Sequence, residues 1–292
     1  MGKAYRPLSL DEALKIAEEQ NVLPLAGGTD LMVQHRNWTG LPPRIKVPVM
    51  FIGHLSELQG IAVDGSATVI SSGTSLAAIL QNDHVPSLLK EAVRSIGGPA
   101  IRSRATLGGN ICNASPAADT LPPLYVLGAD VVLQHQRGER TLPIESFIQG
   151  PGKTGLKSGE LLTEVRIPAG EPGVTFFRKV GTRASNALSK LSIAAAAETE
   201  RGVVKNVRLA LGAVAPTVVR SADAENLMQG KTAVEIRGGL YRILEAYNRV
   251  LDPIDDQRSS SLYRLKASFR LILSFIGTVL LPAVEQSTEQ IR

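Results

Sequence analysis

Leu25-Ala26-Gly27-Gly28-Thr29-Asp30 and Ala105-Thr106-Leu107-Gly108-Gly109-Asn110 are the two stretches on which the reading of this 292-residue chain turns. Each sets a side-chain-free backbone beside hydroxyl, amide or carboxylate groups. Glycine lets main-chain N–H groups come close to a ligand, and such groups hold phosphate oxygens without any basic side chain. A single Gly-Gly pair alone is most often a turn. Two loops with the same small-residue, hydroxyl and polar pattern look like the two halves of a clamp for a dinucleotide's pyrophosphate, although spacing alone does not name the ligand.

The flanks place both loops. Ser9 and Glu12 stand at capping-box spacing ahead of Leu10, Ala13, Leu14 and Ala17, which form one apolar face and predict a helix to about Asn21. Val22-Leu23-Pro24-Leu25 reads as a short strand, and Thr29 or Asp30 as the cap of a helix through Leu31, Met32 and Val33. The first loop is therefore expected between a strand and a helix N-terminus, where unpaired N–H groups and the positive end of the dipole favour an anion. The second follows a predicted helix over 87–96 and the basic stretch Arg102-Ser103-Arg104, and it precedes Asp119, placed to cap a helix ending near Gly128.

Composition bounds the function classes. With 43% apolar residues the chain buries a large core, and its length suggests about two domains. One cysteine, Cys112, excludes an internal disulfide and, since iron–sulfur clusters need about four thiolates, a cluster held by this chain alone. His35, His54, His84 and His135 show no ligand spacing, so no metal site is read. The net charge of +5 is interspersed and aromatics are only 4%, which argues against a nucleic-acid surface. The apolar stretch over 271–283 is short of the ~20 residues of a membrane span and is broken by Ser274, Gly277 and Pro282. No apolar signal core is read at the N-terminus, so export is not expected.

Several familiar motifs fail when counted. Gly152-Lys153-Thr154 ends like a P-loop, but Phe147 stands where that motif needs its first glycine. No Gly-x-Gly-x-x-Gly opens a helix and no Gly-x-Ser-x-Gly elbow occurs. Three portions emerge. Residues 1 to about 55 carry the first loop, and about 56 to 170 mix helices with strands such as Thr68-Val69-Ile70-Ser71 and Val131-Val132-Leu133, joined by a hairpin at Gln136-Arg137-Gly138-Glu139. Beyond the turn cluster Ala169-Gly170-Glu171-Pro172-Gly173, strands over 174–180, 189–198 and 207–213 precede two long helical patterns. In the last, Leu262, Leu265, Phe269, Ile272, Ile276 and Val279 recur at helical spacing up to a stop at Pro282. This is a packed amphipathic helix, with a membrane or partner-helix role as the alternative.

Taken in order, Ala26-Gly27-Gly28-Thr29-Asp30, Ala105-Thr106-Leu107-Gly108-Gly109-Asn110 and Ala114-Ser115-Pro116-Ala117-Ala118-Asp119 resemble the FAD-binding subunit of the molybdenum hydroxylases, the xanthine dehydrogenase family. The resemblance runs along nearly the whole chain. It takes in Gly150-Pro151-Gly152-Lys153-Thr154, Glu160-Leu161-Leu162-Thr163-Glu164-Val165-Arg166-Ile167-Pro168, Phe176-Phe177-Arg178-Lys179-Val180-Gly181 and Arg258-Ser259-Ser260-Ser261-Leu262-Tyr263-Arg264. It implies an α+β chain. A two-subdomain FAD-binding domain of the vanillyl-alcohol-oxidase (PCMH) type would cover 1–170, split at about 55, and a CO-dehydrogenase-flavoprotein-like C-terminal α+β domain would cover 171–292.

The same resemblance implies FAD as the cofactor and suggests which residues hold it. The family's first flavin loop falls on Leu25, Ala26, Gly27, Gly28, Thr29, Asp30 and Leu31, with the amides of Gly27, Gly28 and Thr29 on the pyrophosphate. A second contact set falls on Thr106, Gly109, Asn110 and Asp119, the last on a ribityl or ribose hydroxyl. Ile96 and Gly97 match positions near the flavin rings, Leu161 a residue packing on the adenine side, and Lys179 a lysine that reaches the cofactor. Asp119 has a second reading as a helix cap alone, and Lys179 one as a solvated strand lysine. Cys112 reads as a small buried hydrophobe, with flavin tuning as the alternative. No catalytic side chain is assigned.

By resemblance, the complete enzyme hydroxylates a carbon at a molybdenum centre on a molybdopterin-binding large subunit. Electrons pass through two [2Fe-2S] clusters on an iron–sulfur subunit to FAD here, and then to NAD+ or another acceptor. A cytoplasmic heterotrimer is expected, with no nucleic acid and no membrane span. The segments 150–154 and 160–168 look most like bacterial xanthine dehydrogenase, so purines lead, although nicotinate, aldehyde, aryl-CoA and carbon-monoxide systems use similar subunits. The lone cysteine disfavours the aryl-CoA type with its extra cluster. Val180-Gly181-Thr182-Arg183-Ala184-Ser185-Asn186-Ala187-Leu188 has no carboxylate, a departure from the NAD-reducing mammalian enzymes that leaves the acceptor open. Two alternatives stand: a scaffold subunit that no longer holds FAD, and a stand-alone flavin oxidase, for which only His35 and Cys112 lie near the loops as covalent tethers.

Overall fold

The computed structural model describes residues 3–183 and 186–289. They fall into two compact units, one drawn from 1–85, 97–115 and 128–169, the other from 86–96, 116–127 and 170–292. Two segments that precede residue 170 thus fold with the C-terminal part of the chain. Both units mix helix and sheet, the α+β class expected. Ala184 and Ser185, in the segment after Lys179, lie outside the described residues.

In the first unit, Ala4–Tyr5 and Leu23–Leu25 pair in parallel with a central strand, Val49–Phe51. The helix Leu10–Glu19 buries Ala13 and Leu14 against Met50, Leu55 and Leu58. Ser9 caps it as expected, its hydroxyl accepting the Glu12 N–H, but the Glu12 carboxylate reaches back to the Leu8 N–H and not to that of Ser9. A five-stranded antiparallel sheet completes the unit, in the order Ile61–Asp64, Ala67–Ser71, Leu161–Pro168, Asp130–His135, Gly138–Pro143. The hairpin between the last two turns at Gln136 and Arg137, where it was expected.

In the second unit, Val174–Val180, Leu191–Glu200, Val203–Gly212 and Val219–Arg220 form one antiparallel sheet. Every residue from Leu191 to Ala197 is buried, because both faces of that strand are covered. Leu191, Ile193, Ala195 and Ala197 point into a core shared with Tyr247, Ile272 and Phe275, and the alternate residues face the helix Leu121–Leu127. Alanines keep that helix close. At Gly212 a Cβ would stand 3.0 Å from Pro122. Phe176 and Phe275 add a tilted ring pair with centroids 5.9 Å apart.

Pro282 does not stop the last helix, contrary to the sequence-based expectation. The chain is helical through Ser261–Phe275, a π-turn at Ile276–Leu280, and Leu281–Glu289. The wider π-turn lies directly before the residue that lacks an N–H, so the helix passes the proline instead of ending. The continuous stretch Ser261–Thr288 is long and apolar enough to cross a membrane by length and composition. Its inner residues Ile272, Phe275, Ile276 and Leu280 are spent in the core of the second unit, as the packed-helix reading predicts.

The start of that helix explains the stretch from Arg258 to Arg264. Arg264 is buried and donates to Asp256 Oδ1 at 2.6 Å and to the Ala213 carbonyl. Asp256 also accepts from the backbone of Arg258 and Ser259 and from the Arg258 side chain. Burial alone would push its carboxyl up, but these donors outweigh burial and hold it well below the usual carboxylate range.

Candidate functional site

The first glycine loop leaves the C-terminal end of Leu23–Leu25, where the Ile52 N–H donates to the Leu25 carbonyl at 3.0 Å. It is wedged between two pieces of backbone. A Cβ on Gly27 would lie 1.9 Å from the Arg104 carbonyl oxygen, and one on Gly53 2.9 Å from that of Ala26. Gly28 turns the chain through φ +71°, a conformation glycine adopts without steric cost. Among the described residues, no intramolecular acceptor serves the N–H groups of Gly27, Gly28, Thr29 or Asp30, and the next amides to find partners are those of Met32 and Val33. Successive N–H groups around a left-handed residue make a concave nest for an anion.

The helix after this nest, Leu31–Gln34, is a single turn, so little dipole is available and the expected help from a helix terminus is not what builds the cradle. Asp30 occupies its N-cap position without a capping bond. Its carboxylate accepts from Gln34 Nε2 at 2.6 Å, and the same Gln34 amide donates to Asn113 Oδ1 at 2.8 Å. Through Gln34 and the Gly27 contact, the first loop is fastened to the chain on both sides of the second.

The second loop also carries a Gly-Gly pair but has a different hydrogen-bond account. The N–H groups of Leu107 and Gly108 donate to the carbonyls of Thr74 and Ser72, at 3.1 and 2.8 Å. Gly109 donates to Thr106 Oγ1 at 3.1 Å and Asn110 to the Thr106 carbonyl, the start of the helix Leu107–Cys112. A Cβ on Gly108 would meet the Ser72 backbone oxygen at 2.7 Å, and one on Gly109 the Thr106 hydroxyl at 2.8 Å. These glycines permit close packing, and their amides are already used.

Asp119 lies in the second unit. It does not cap the helix Leu121–Leu127. Its carboxylate accepts from Lys179 Nζ at 2.7 Å and from the Ser189 hydroxyl at 2.5 Å, and burial, opposed by Lys179, pushes its pKa up. Lys179 also donates to the Ser95 carbonyl at 2.9 Å, and its side chain is 13% exposed, which sets aside the reading of a solvated strand lysine. Ser189 was not singled out in the sequence: it sits 70 residues from Asp119 with no periodic signal. Lys179 also borders a cavity of about 410 Å³ in this unit, shared with Arg94, Arg178, Arg183, Glu91 and Phe177.

The other residues expected at a site lie as follows. Leu161 is 4% exposed in the core of Ala13, Leu14 and Met50, so its side chain is committed to packing. Ile96 ends a segment of the second unit, and Gly97, at φ +50°, opens a segment of the first. Cys112 has its thiol pushed up to about 12 by burial, and a thiol that stays protonated suits packing better than redox sensing. No cluster of His, Cys, Asp and Glu suited to a metal occurs among the described residues.

Comparison with known proteins matches residues 1–170 to the FAD binding domain in molybdopterin dehydrogenase. The chain belongs to the FAD-binding subunits of the molybdenum hydroxylase family. Residues 176–279 match the CO dehydrogenase flavoprotein C-terminal domain. The chain is 33% identical to the xanthine dehydrogenase FAD-binding subunit of Escherichia coli O157:H7, over 92% of this chain and 90% of that one. It is 32% identical to the glyceraldehyde dehydrogenase medium chain of Sulfolobus acidocaldarius, over 89% and 91%. Among solved structures it is similar to carbon monoxide dehydrogenase from Hydrogenophaga pseudoflava, with TM-score 0.84, 26% identity and coverage of 93% and 94%. As a member of this family, the subunit uses FAD and is a component of an oxidoreductase. The open amides of its first loop suit that cofactor, since a diphosphate supplies acceptor oxygens and no donors.

Proposed function

We propose that this chain is the electron-transfer subunit of a three-part cytoplasmic molybdenum hydroxylase. It takes electrons from the [2Fe-2S] clusters of an iron–sulfur subunit, which is served by a molybdopterin-binding large subunit, and delivers them to NAD+ or another acceptor. The observation that carries this reading is the run of N–H groups from Gly27 to Asp30 that find no acceptor among the described residues. These amides hold the pyrophosphate, Leu25, Ala26 and Leu31 frame them, and Gly28 supplies the turn that aims them. Bound FAD supplies a carrier that exchanges electrons singly or in pairs.

In the first unit, Asn110 and the backbone at Gly97, Thr106, Gly109 and Leu161 border the cofactor. In the second, Asp119 and Lys179 form a buried ion pair, with Ile96 next to the Ser95 carbonyl that also accepts from Lys179. No side chain is needed as an acid or base, so the chain's work is to bind, to orient and to keep water from the reacting ring. Purines lead as the large subunit's substrate. Besides the xanthine dehydrogenase relative, the caffeine dehydrogenase subunit beta of Pseudomonas sp. is 33% identical over 77% of both chains.

The test is purification of the chain with whatever accompanies it, followed by its visible spectrum, the masses of associated proteins and reduction of the flavin with NADH. FAD, a small iron–sulfur partner and a large molybdenum partner are expected. A colourless chain that still carries both partners would establish a scaffold, and a yellow chain without partners a stand-alone oxidase.

A further inference from the structure

Asp30 closes the run of open amides, and its side chain is an obstacle to the ligand that run suits. Two like charges ~4 Å apart repel by enough, even in bulk water, to change an affinity roughly fivefold. No lysine or arginine occurs between Lys15 and Arg36 to offset the carboxylate. An aspartate at an N-cap position ordinarily turns its carboxylate onto the first N–H groups of the helix, yet Asp30 makes no such bond. Among the described residues one side chain donates to it. That is Gln34, one helical turn on, whose Nε2 lies 2.6 Å from Asp30 Oδ2 and whose backbone N–H donates to the Asp30 carbonyl at 3.0 Å.

Gln34 is anchored on its far side, because Nε2 also donates to Asn113 Oδ1 at 2.8 Å. Asn113 ends the helix Leu107–Cys112 with its N–H on the Gly109 carbonyl. The chain beyond it is pinned: Ala114 is buried at φ +45°, a conformation costly for a residue with a Cβ, and its carbonyl accepts the Gly152 N–H at 3.0 Å. The two hydrogens of the Gln34 amide are thus spent, one on the carboxylate and one on a fixed acceptor. We propose that Gln34 is a positioning residue of the cradle: anchored on Asn113, it holds the Asp30 carboxylate off the path of the diphosphate, so that the amides of Gly27 to Asp30 meet the anion without a like charge over them. The inference rests on the proposed reading of the first loop as the holder of the pyrophosphate, and adds the side chain that keeps that loop usable.

The experiment is a double-mutant cycle on the FAD affinity of the full flavin-free chain, read by the change in flavin fluorescence, with thermal unfolding to show that each variant is folded. Gln34→Leu should weaken FAD binding by about tenfold at low salt, and by less at high salt, which screens the released carboxylate. Gln34→Glu has the same shape with a second carboxylate and should weaken it further. Asp30→Asn keeps the backbone amide and removes the charge, and in that background Gln34→Leu should cost less than about twofold. An equal loss from Gln34→Leu in both backgrounds would overturn the inference, since a mere brace acts whatever the charge beside it. So would an Asp30→Asn variant that loses FAD as strongly as Gln34→Leu, because the carboxylate would then be a contact the cofactor needs. Wild-type FAD affinity in Gly28→Val would remove the reading of the loop itself, whereas FAD lost from Gly28→Val and unchanged in both Gln34 variants would remove this inference alone.

Discussion

Two Gly-Gly loops with a similar pattern of small, hydroxyl and polar residues, 26–30 and 105–110, are put to different physical use in the first unit. Among the described residues the N–H groups of Gly27 to Asp30 in the earlier one find no acceptor, whereas in the later one the amides of Leu107, Gly108, Gly109 and Asn110 are all bonded within the chain. Gly27 and Gly108 do share one task. Each lets its backbone touch another, at Arg104 and at Ser72. A Gly-Gly motif therefore states that backbone comes close to something, and only the hydrogen-bond account tells whether that something is a ligand or the protein itself.

The contrast can be broken at graded cost. The largest effect is expected outside both loops, at Lys179→Met, which leaves Asp119 buried without its cation and should lower stability by about 3 kcal/mol or more, read by thermal unfolding. A flavin site dependent on the first loop alone would still fill in whatever fraction of that variant folds. Next comes Gly27→Ala, whose Cβ would collide with the Arg104 carbonyl. A loss of ~1–3 kcal/mol is expected, with flavin release, because the loop must withdraw from its support.

Gly28→Val meets only ordinary contacts, the nearest being Met32 at 3.5 Å, but places a β-branched residue at positive φ. It should cost ~1–2 kcal/mol of backbone strain and empty the flavin site while the second unit still folds. The mildest is Thr106→Val, which removes a helix cap worth ~1 kcal/mol and should leave flavin content near normal. If Thr106→Val lost flavin as readily as Gly28→Val, the two loops would share the anion and the distinction drawn between them would fail.

What was legible in the sequence was local. The Ser9 cap, the strand before Gly27 and the hairpin at Gln136-Arg137 follow from nearest-neighbour chemistry, and they stand where expected. The ordered string of motifs gave the family and, with it, the fold. Pairings across long separations were not legible. Asp119 read as a cap because a helix follows it, yet its partners lie 60 and 70 residues away at Lys179 and Ser189. Leu161 gave no sign that its side chain belongs to the core beside Met50. Pro282 read as a stop because propensity alone does not foresee a π-turn that absorbs it.

Amide hydrogen exchange, compared between the FAD-loaded and the flavin-free chain, tests the account most directly. The amides of Gly27, Gly28, Thr29 and Asp30 have no acceptor among the described residues, so cofactor binding should slow their exchange strongly, while those of Leu107 to Asn110 should be protected in both states and change little. Protection that rises in the second loop and leaves the first unchanged would contradict it.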